Sequence, residues 1–257
     1  DKCILITGGG TGLGKSMGRR VLELGARLVI CGRRQGVLEE TREEFDEDFP
    51  NRTRAIPCDL RDPAQVQAMV NEIWDEGSLD ALVNNAAGNF LARSESLSPR
   101  ALDAVLAIVM RWLAEGHPGN VLSIVATYAE TGSPYVVPSA MAKAGVLAMT
   151  RSLAVEWGGR GIRLNAIAPG PFPTEGAWSR LVPNEEMNKA WMNKIPLGRV
   201  GEHRELADLA VFLLAESSAY INGEVVTIDG GEWLKGAGQF SLMEDLSAED
   251  WAAMKGR

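Results

Sequence analysis

The sequence predicts a doubly wound α/β fold: one parallel sheet of about seven strands with helices on both faces. Three observations predict it. Short, near-continuous apolar runs alternate along the chain with amphipathic stretches of helical period, which is how strands read when helices cover both sheet faces. The first apolar run ends in a glycine-rich turn that opens a helix, as a βαβ unit requires. No repeat, low-complexity tract or linker interrupts the 257 residues, so 1–257 reads as one domain.

The first strand is Cys3-Ile4-Leu5-Ile6, ending at Thr7-Gly8. Leu13, Met17, Val21 and Leu24 then recur at helical spacing, and Gly25 stops that helix. Leu28-Val29-Ile30-Cys31 is the second strand, followed by a charged helix that runs to about Phe49-Pro50. Arg54-Ala55-Ile56 leads to Asp59 as the third strand, and Val66, Met69, Val70 and Ile73 mark the next helix. Ala81-Leu82-Val83 is the fourth strand and Val121 to Val125 the fifth. A long helix runs from about Ser139 to Trp157; Leu164 to Ile167 and Val225 to Ile228 are the last two strands. Residues 232–257 read as a C-terminal extension that packs near the substrate cleft or a subunit interface.

A net charge of -8 and a pI near 5.0 argue against a nucleic-acid or anionic-membrane surface. No apolar run reaches the ~18 residues of a membrane span, and no signal-peptide pattern is present. Cys3, Cys31 and Cys58 sit in or beside strands and read as buried thiols in a reducing compartment. Their spacing is not that of metal ligands, so no metal is expected. His117 and His203 lie in polar segments and read as surface residues. The expected compartment is cytoplasmic. A mitochondrial or peroxisomal one stays open, because a targeting segment ahead of Asp1 would not be visible.

The turn after the first strand is Thr7-Gly8-Gly9-Gly10-Thr11-Gly12-Leu13-Gly14. Its glycines let the backbone approach a pyrophosphate, and the helix that follows offers free N–H groups and positive potential. The turn therefore predicts dinucleotide binding. The end of the second strand selects among dinucleotides. It carries Gly32-Arg33-Arg34 and no acid for a ribose hydroxyl. Two guanidiniums suit a 2′-phosphate, which favours NADPH over NAD; the alternative is a pair of solvated arginines. Asp59 is placed to meet the adenine amino group, or else to cap or turn the chain.

Thr7-Gly8-x-x-x-Gly12-x-Gly14, Asn84-Asn85-Ala86-Ala87-Gly88, Pro169-Gly170 and Asp229-Gly230-Gly231 together resemble the short-chain dehydrogenase/reductase family, with its Rossmann-type sheet, over nearly the whole chain. The resemblance implies a cofactor site of Gly8, Gly10, Thr11, Gly12, Leu13, Gly14, Arg33, Arg34, Asp59, Leu60, Asn85, Ala86, Lys143, Pro169, Gly170, Pro171 and Phe172. One departure is informative. The family's Tyr-x-x-x-Lys signature is here Ser139-Ala140-Met141-Ala142-Lys143, and the family's catalytic serine falls at Ala126. An alcohol dehydrogenase or ketoreductase is not expected with this set.

One branch departs in the same way, the NADPH-dependent 2,4-dienoyl-CoA reductases of mammalian type. The chain is similar to it at Asn85 to Phe90, at Tyr128-Ala129-Glu130-Thr131-Gly132-Ser133, at Val136-Val137-Pro138-Ser139, at Pro169-Gly170-Pro171 and at Trp178-Ser179-Arg180. The resemblance implies hydride transfer to the far alkene carbon of a dienoyl thioester, with the extended enolate held at its oxygen by Tyr128 and Asn89. Protonation at Cα would give trans-3-enoyl-CoA, a step in oxidising unsaturated fatty acids. It implies that Ser139 orders a water and Lys143 holds the ribose, and that Arg61, Phe90, Ser98, Tyr128 and Arg180 contact the acyl-CoA. Each has a plainer alternative: Tyr128 as a cleft wall, Asn89 as a turn residue, Ser139 as a helix N-cap, Arg61 and Arg180 as solvated side chains. Two further readings stay open: another short-chain enoyl-thioester or carbonyl reductase, and a non-catalytic NADPH-binding regulatory member.

Between Asn89 and the fifth strand the family has two helices, whereas Ser98 to about Glu115 has room for little more than one. The stretch Val109-Met110-Arg111 reads as a join from which roughly a dozen residues are missing. The family's homotetramer is expected by fold analogy, and this short region weakens the analogy.

Overall fold

The computed structural model describes residues 2–86, 102–174, 178, 182 and 184–255. Seven strands form one sheet: β1 (Cys3–Thr7), β2 (Arg27–Gly32), β3 (Thr53–Pro57), β4 (Ala81–Asn84), β5 (Gly119–Ile124), β6 (Ile162–Pro169) and β7 (Val225–Ile228). Their order is β3-β2-β1-β4-β5-β6-β7. Every described pairing is parallel, from Ile4 opposite Leu28 to Ile167 opposite Val226. The chain reverses direction across the sheet between β1 and β4. In a doubly wound sheet that point, at the carboxyl ends of the strands, is where ligands bind.

Successive residues of a strand face opposite sides, and both sides here are dry. Cys3, Leu5, Val29, Cys31 and Val121 join one core, under α3 (Pro63–Glu76), α4 (Leu102–Glu115) and α6 (Val137–Gly158). Ile4, Ile6, Leu28, Ile30 and Leu122 join the other, under α1 (Gly12–Glu23), α2 (Gln35–Asp48) and α8 (His203–Leu214). Between these helices lie α5 (Tyr128–Thr131) and α7 (Glu185–Met192); α9 (Glu232–Ala237) and α10 (Ala248–Lys255) complete the set. The two-sided burial is the reason the strands read as unbroken apolar runs rather than alternating ones. All three cysteines are buried free thiols, as their strand positions predict.

Three sequence expectations need correction. Leu24 belongs to no core: α1 ends at Glu23, Leu24 is its half-exposed cap, and Gly25 turns away at φ +86°. His117 and His203 are partly buried and engaged at both ring nitrogens, His117 by Ser78 and the Pro118 carbonyl, His203 by Ser16 and the Pro173 carbonyl. Ser139 is not an N-cap, since α6 begins two residues earlier with Val136 at the cap position. The stretch Val109-Met110-Arg111, read as a join, lies within α4, where Val105, Ile108, Val109 and Trp112 are all buried at helical spacing and Arg111 is paired with Glu115 at 2.8 Å.

A buried tryptophan and a half-buried arginine fasten the sheet to its helices. Trp112 donates from its indole N–H to the Leu79 carbonyl (2.7 Å), and its ring lies so close to Gly119 that a Cβ there would fall 2.3 Å from Cε3. Arg163 on β6 donates to the carbonyls of Leu213, Ala215, Ser218 and Ile221, so one cation satisfies the unpaired C-terminal end of α8. In the C-terminal extension, Trp233 N–H bonds Asp229, and Lys235 reaches the Asn193 carbonyl and Glu244. Trp112→Ala removes a fully buried indole and its hydrogen bond. It is expected to lower the unfolding free energy by about 3–5 kcal/mol, measured by urea denaturation.

Candidate active site

The glycine turn is built on a knot of hydrogen bonds at the switch point. Thr7, the last residue of β1, is fully buried. Its hydroxyl oxygen accepts from the backbone N–H of Asn85 (3.0 Å) and of Ala86 (2.9 Å), and its proton points at the Val83 carbonyl (3.4 Å). The Asn85 side chain returns the tie, donating to the Thr7 carbonyl (3.0 Å) and toward that of Gly8 (3.4 Å). The glycines follow from this crowding. Gly8 stands at φ +67°. A Cβ on Gly14 would lie 2.3 Å from the Gly8 carbonyl oxygen, and one on Gly9 2.5 Å from Ile30 Cγ2. The Gly10 carbonyl is held by the Thr41 hydroxyl at 2.8 Å. Helix α1 then starts with Thr11 at its cap making no side-chain cap bond, so its first N–H groups remain for a ligand. The cradle fits a dinucleotide pyrophosphate, and Leu13 packs behind it against the core.

On the adenine side, Arg33 and Arg34 follow β2 and are exposed. Asp59 is occupied by its neighbour: Arg61 donates to its carboxylate from Nε (2.9 Å), Nη2 (2.6 Å) and the backbone N–H (3.0 Å). These bonds, first of all those from the guanidinium, hold the Asp59 carboxyl down at about 2. The turn role considered for Asp59 is thus present, with Arg61 as its partner, and the Arg33 charge acts on the same carboxyl. Leu60 packs against the core between them.

At the carboxyl end of β5, α5 opens with Tyr128, whose hydroxyl is 3.0 Å from Ser139 Oγ on α6. One turn further along α6, Lys143 donates from Nζ to the Ile124 carbonyl at 2.5 Å. Ala126, where the family carries serine, is buried and apolar. The phenol therefore enters from the strand side and the hydroxymethyl group from the helix, the reverse of the usual arrangement. Burial, with no carboxylate to offset it, pulls the Lys143 ammonium down to about 8.

The loop after β6 closes the site's other wall. Gly170 donates to the Ile228 carbonyl (2.9 Å) and has no room for a side chain against Asp229, whose Cβ would be 2.6 Å away. The Pro171 carbonyl accepts from Gly201 N–H (3.0 Å), and the Phe172 ring rests on Gly201. Pro169 to Phe172 thus face the strand ends, as the motif implies. Asn89, Phe90, Ser98 and Arg180 lie outside the described residues. Among the described residues no group of three metal-ligating side chains occurs, and no helix is long and apolar enough to cross a membrane. Sequence reasoning gave no role to Thr7, Ser16 or His203. Of these, only Thr7 carried a signal, a hydroxyl closing an apolar strand next to a glycine turn.

Depressed titration of Lys143 makes stability pH-dependent. The unfolded chain keeps this proton up to the ordinary lysine value of 10.5, while the folded chain releases it near 8. Stability from this residue therefore rises between those values. In the absence of nucleotide, wild type is expected to gain unfolding free energy over Lys143→Met between about pH 8 and pH 10, by chemical denaturation; parallel curves would contradict it.

Known proteins are similar to this chain in sequence and fold. A family model described as Enoyl-(Acyl carrier protein) reductase matches residues 8–232. A Bacillus subtilis (strain 168) protein named probable 2,4-dienoyl-CoA reductase [(2E)-enoyl-CoA-producing] is 42% identical, over 91% of this chain and 97% of its own. A Caenorhabditis elegans protein named probable 2,4-dienoyl-CoA reductase 3 [(3E)-enoyl-CoA-producing] is 39% identical, over 90% and 80%. The crystal structure of a short chain dehydrogenase from Bacillus anthracis superposes with a TM-score of 0.80 at 42% identity, covering 90% of this chain and 96% of that one. With a seven-stranded parallel sheet, a glycine turn at its switch point and a lysine one helical turn beyond Ser139, the chain belongs to the short-chain dehydrogenase/reductase family of oxidoreductases.

Proposed function

We propose that this protein is an NADPH-dependent 2,4-dienoyl-CoA reductase that forms trans-3-enoyl-CoA. The observation that carries the proposal is the pairing of Tyr128 with Ser139 beside Lys143, where a carbonyl reductase of this family would place serine and tyrosine the other way round. The names of the B. subtilis and C. elegans relatives support the substrate. The exposed Arg33 and Arg34 after β2, with no carboxylate in their place, support NADPH.

When bound, NADPH supplies the hydride that adds at the far alkene carbon, Cδ. The residues manage the charge that results. Electron density runs through the conjugated chain to the thioester oxygen, where Tyr128 donates a hydrogen bond, with Asn89 as the second donor. Ser139 orients the phenol: by donating its own proton to Tyr128 Oη, it leaves the phenolic proton for the substrate. Its remaining lone pair orders a water that delivers a proton at Cα. The relatives' names divide between (2E) and (3E) products, which is a division between protonation at Cγ and at Cα after the same hydride step. Lys143, its ammonium pulled down to about 8 by burial, holds the ribose hydroxyls. A homo-oligomer is supported by exposed apolar side chains on α4 (Leu106, Met110) and α6 (Val137, Met141, Val155).

The test is an assay of trans,trans-2,4-hexadienoyl-CoA with NADPH. Dienoyl absorbance and NADPH are expected to fall in step; binding of NADPH without loss of either chromophore would overturn the proposal. Tyr128→Phe is expected to cut kcat by about 10²–10³ while the Kd for NADPH stays at the wild-type value. Loss of NADPH affinity in parallel would refute the role given to Tyr128. Arg33→Asp is expected to shift the preference from NADPH toward NADH by about tenfold or more, read as the ratio of kcat/KM for the two nucleotides.

A further inference from the structure

His203 opens α8 far from the motifs of the family, yet it bridges the two loops between which the nucleotide is proposed to lie. Its Nε2 is 2.7 Å from the Pro173 carbonyl oxygen. A carbonyl only accepts, so Nε2 carries a proton. Its Nδ1 is 2.9 Å from Ser16 Oγ on the second turn of α1, and Ser16 Oγ lies 3.1 Å from the Gly12 carbonyl oxygen in the glycine turn. One imidazole thus joins the loop after β6 to the helix that begins the phosphate cradle.

The neighbours reinforce the same junction. The backbone just before His203 is fastened to the loop twice, by Gly201 N–H on the Pro171 carbonyl (3.0 Å) and by the Phe172 ring lying on Gly201. The loop in turn touches the cradle: a Cβ on Gly12, at φ +54°, would come 3.1 Å from Thr174 Cγ2. Behind these contacts α1 and α8 are locked side by side by Arg20 with Asp208 (2.5 Å) and Arg204 with Glu23 (2.8 Å). A loop bonded to the packed α1–α8 pair inherits its position from that pair. With its one ring proton on Nε2, a neutral His203 accepts at Nδ1 from the Ser16 hydroxyl, whose single proton then goes to the imidazole rather than to the Gly12 carbonyl.

We infer that His203 is a positioning residue for the nucleotide: held by Ser16 at Nδ1, it fixes the Pro171–Thr174 loop against the glycine turn through the Pro173 carbonyl. This rests on the nucleotide site described above. The role predicts a specific pattern. Losing the bridge frees the loop without touching the acyl-thioester groups around Tyr128, so nucleotide affinity falls while the acyl-CoA KM does not.

The experiment measures NADPH Kd by fluorescence titration, and KM for hexadienoyl-CoA at saturating NADPH, in wild type, His203→Phe, His203→Gln and Ser16→Ala. His203→Phe keeps a ring of similar size and loses both bonds; NADPH is expected to bind about tenfold more weakly. His203→Gln, whose amide N–H can still reach the Pro173 carbonyl, is expected to recover part of that loss. Ser16→Ala is expected to weaken NADPH by about threefold, and the acyl-CoA KM to stay within about twofold in all three. A folded His203→Phe with wild-type NADPH affinity, or one whose acyl-CoA KM rises as much as its nucleotide Kd, would overturn the inference. Should His203→Phe not fold, Ser16→Ala decides alone, and an unchanged Kd there is equally fatal. If the wild-type protein prefers NADH, the cofactor choice proposed above fails, and the same comparison made with NADH still tests His203.

Discussion

The active site depends on one buried hydroxyl. Thr7 Oγ sits at the point where the sheet reverses direction, and by taking two backbone N–H groups of Asn85 and Ala86 it sets the separation of the β1 and β4 ends. Asn85 closes the knot on the Thr7 and Gly8 carbonyls. Each bond is worth only about 0.5–1.5 kcal/mol net, yet they converge on the fully buried Thr7, where an unpaired polar group would cost more than the bond contributes. Only with those ends fixed does the glycine turn have its tight geometry, in which Gly14 passes so near Gly8 that no side chain fits.

The same edge of the sheet collects every other group of the site, because all strands run parallel and end there. Tyr128 follows β5, Asp59 and Arg61 follow β3, the Pro169–Thr174 loop follows β6, and Asp229 follows β7. Against this shared frame, the exchange of tyrosine and serine is a small structural change with a large chemical consequence. A helix-borne tyrosine beside a strand-borne serine is arranged to hand a proton to an alkoxide. In the proposed function, Tyr128 on the short helix after β5, hydrogen-bonded to Ser139 on α6, donates instead to an oxygen that stays part of a conjugated enolate. Lys143 keeps its place in either arrangement, since its ammonium is anchored on the Ile124 carbonyl.

Much of this was legible in the residues themselves. Strands buried on both faces appear as unbroken apolar runs, so all seven were placed to within a few residues, and the glycine turn located the nucleotide cradle. The motifs around Tyr128, Ser139 and Lys143 were recognised by resemblance to the family, and the structure brings Tyr128 and Ser139 together one helical turn from Lys143. What failed had physical reasons. Leu24 fits the periodicity of α1 but falls one residue beyond its end, where Gly25 redirects the chain. Ser139 after Pro138 looks like a cap because proline favours first turns, but the helix begins earlier. His203 reads as a surface residue because its partners, Ser16 and Pro173, are 187 and 30 positions away, and a tertiary bridge leaves no local pattern.

The account's central claim is that the site stabilises an extended enolate formed by hydride addition at Cδ. Its most direct measurement is reduction of a 2,4-dienoyl-CoA with NADPH deuterated at the transferred position, followed by NMR of the product. The account predicts deuterium at Cδ and a remaining double bond between Cβ and Cγ. Deuterium at Cβ, or at the carbonyl carbon, would contradict it.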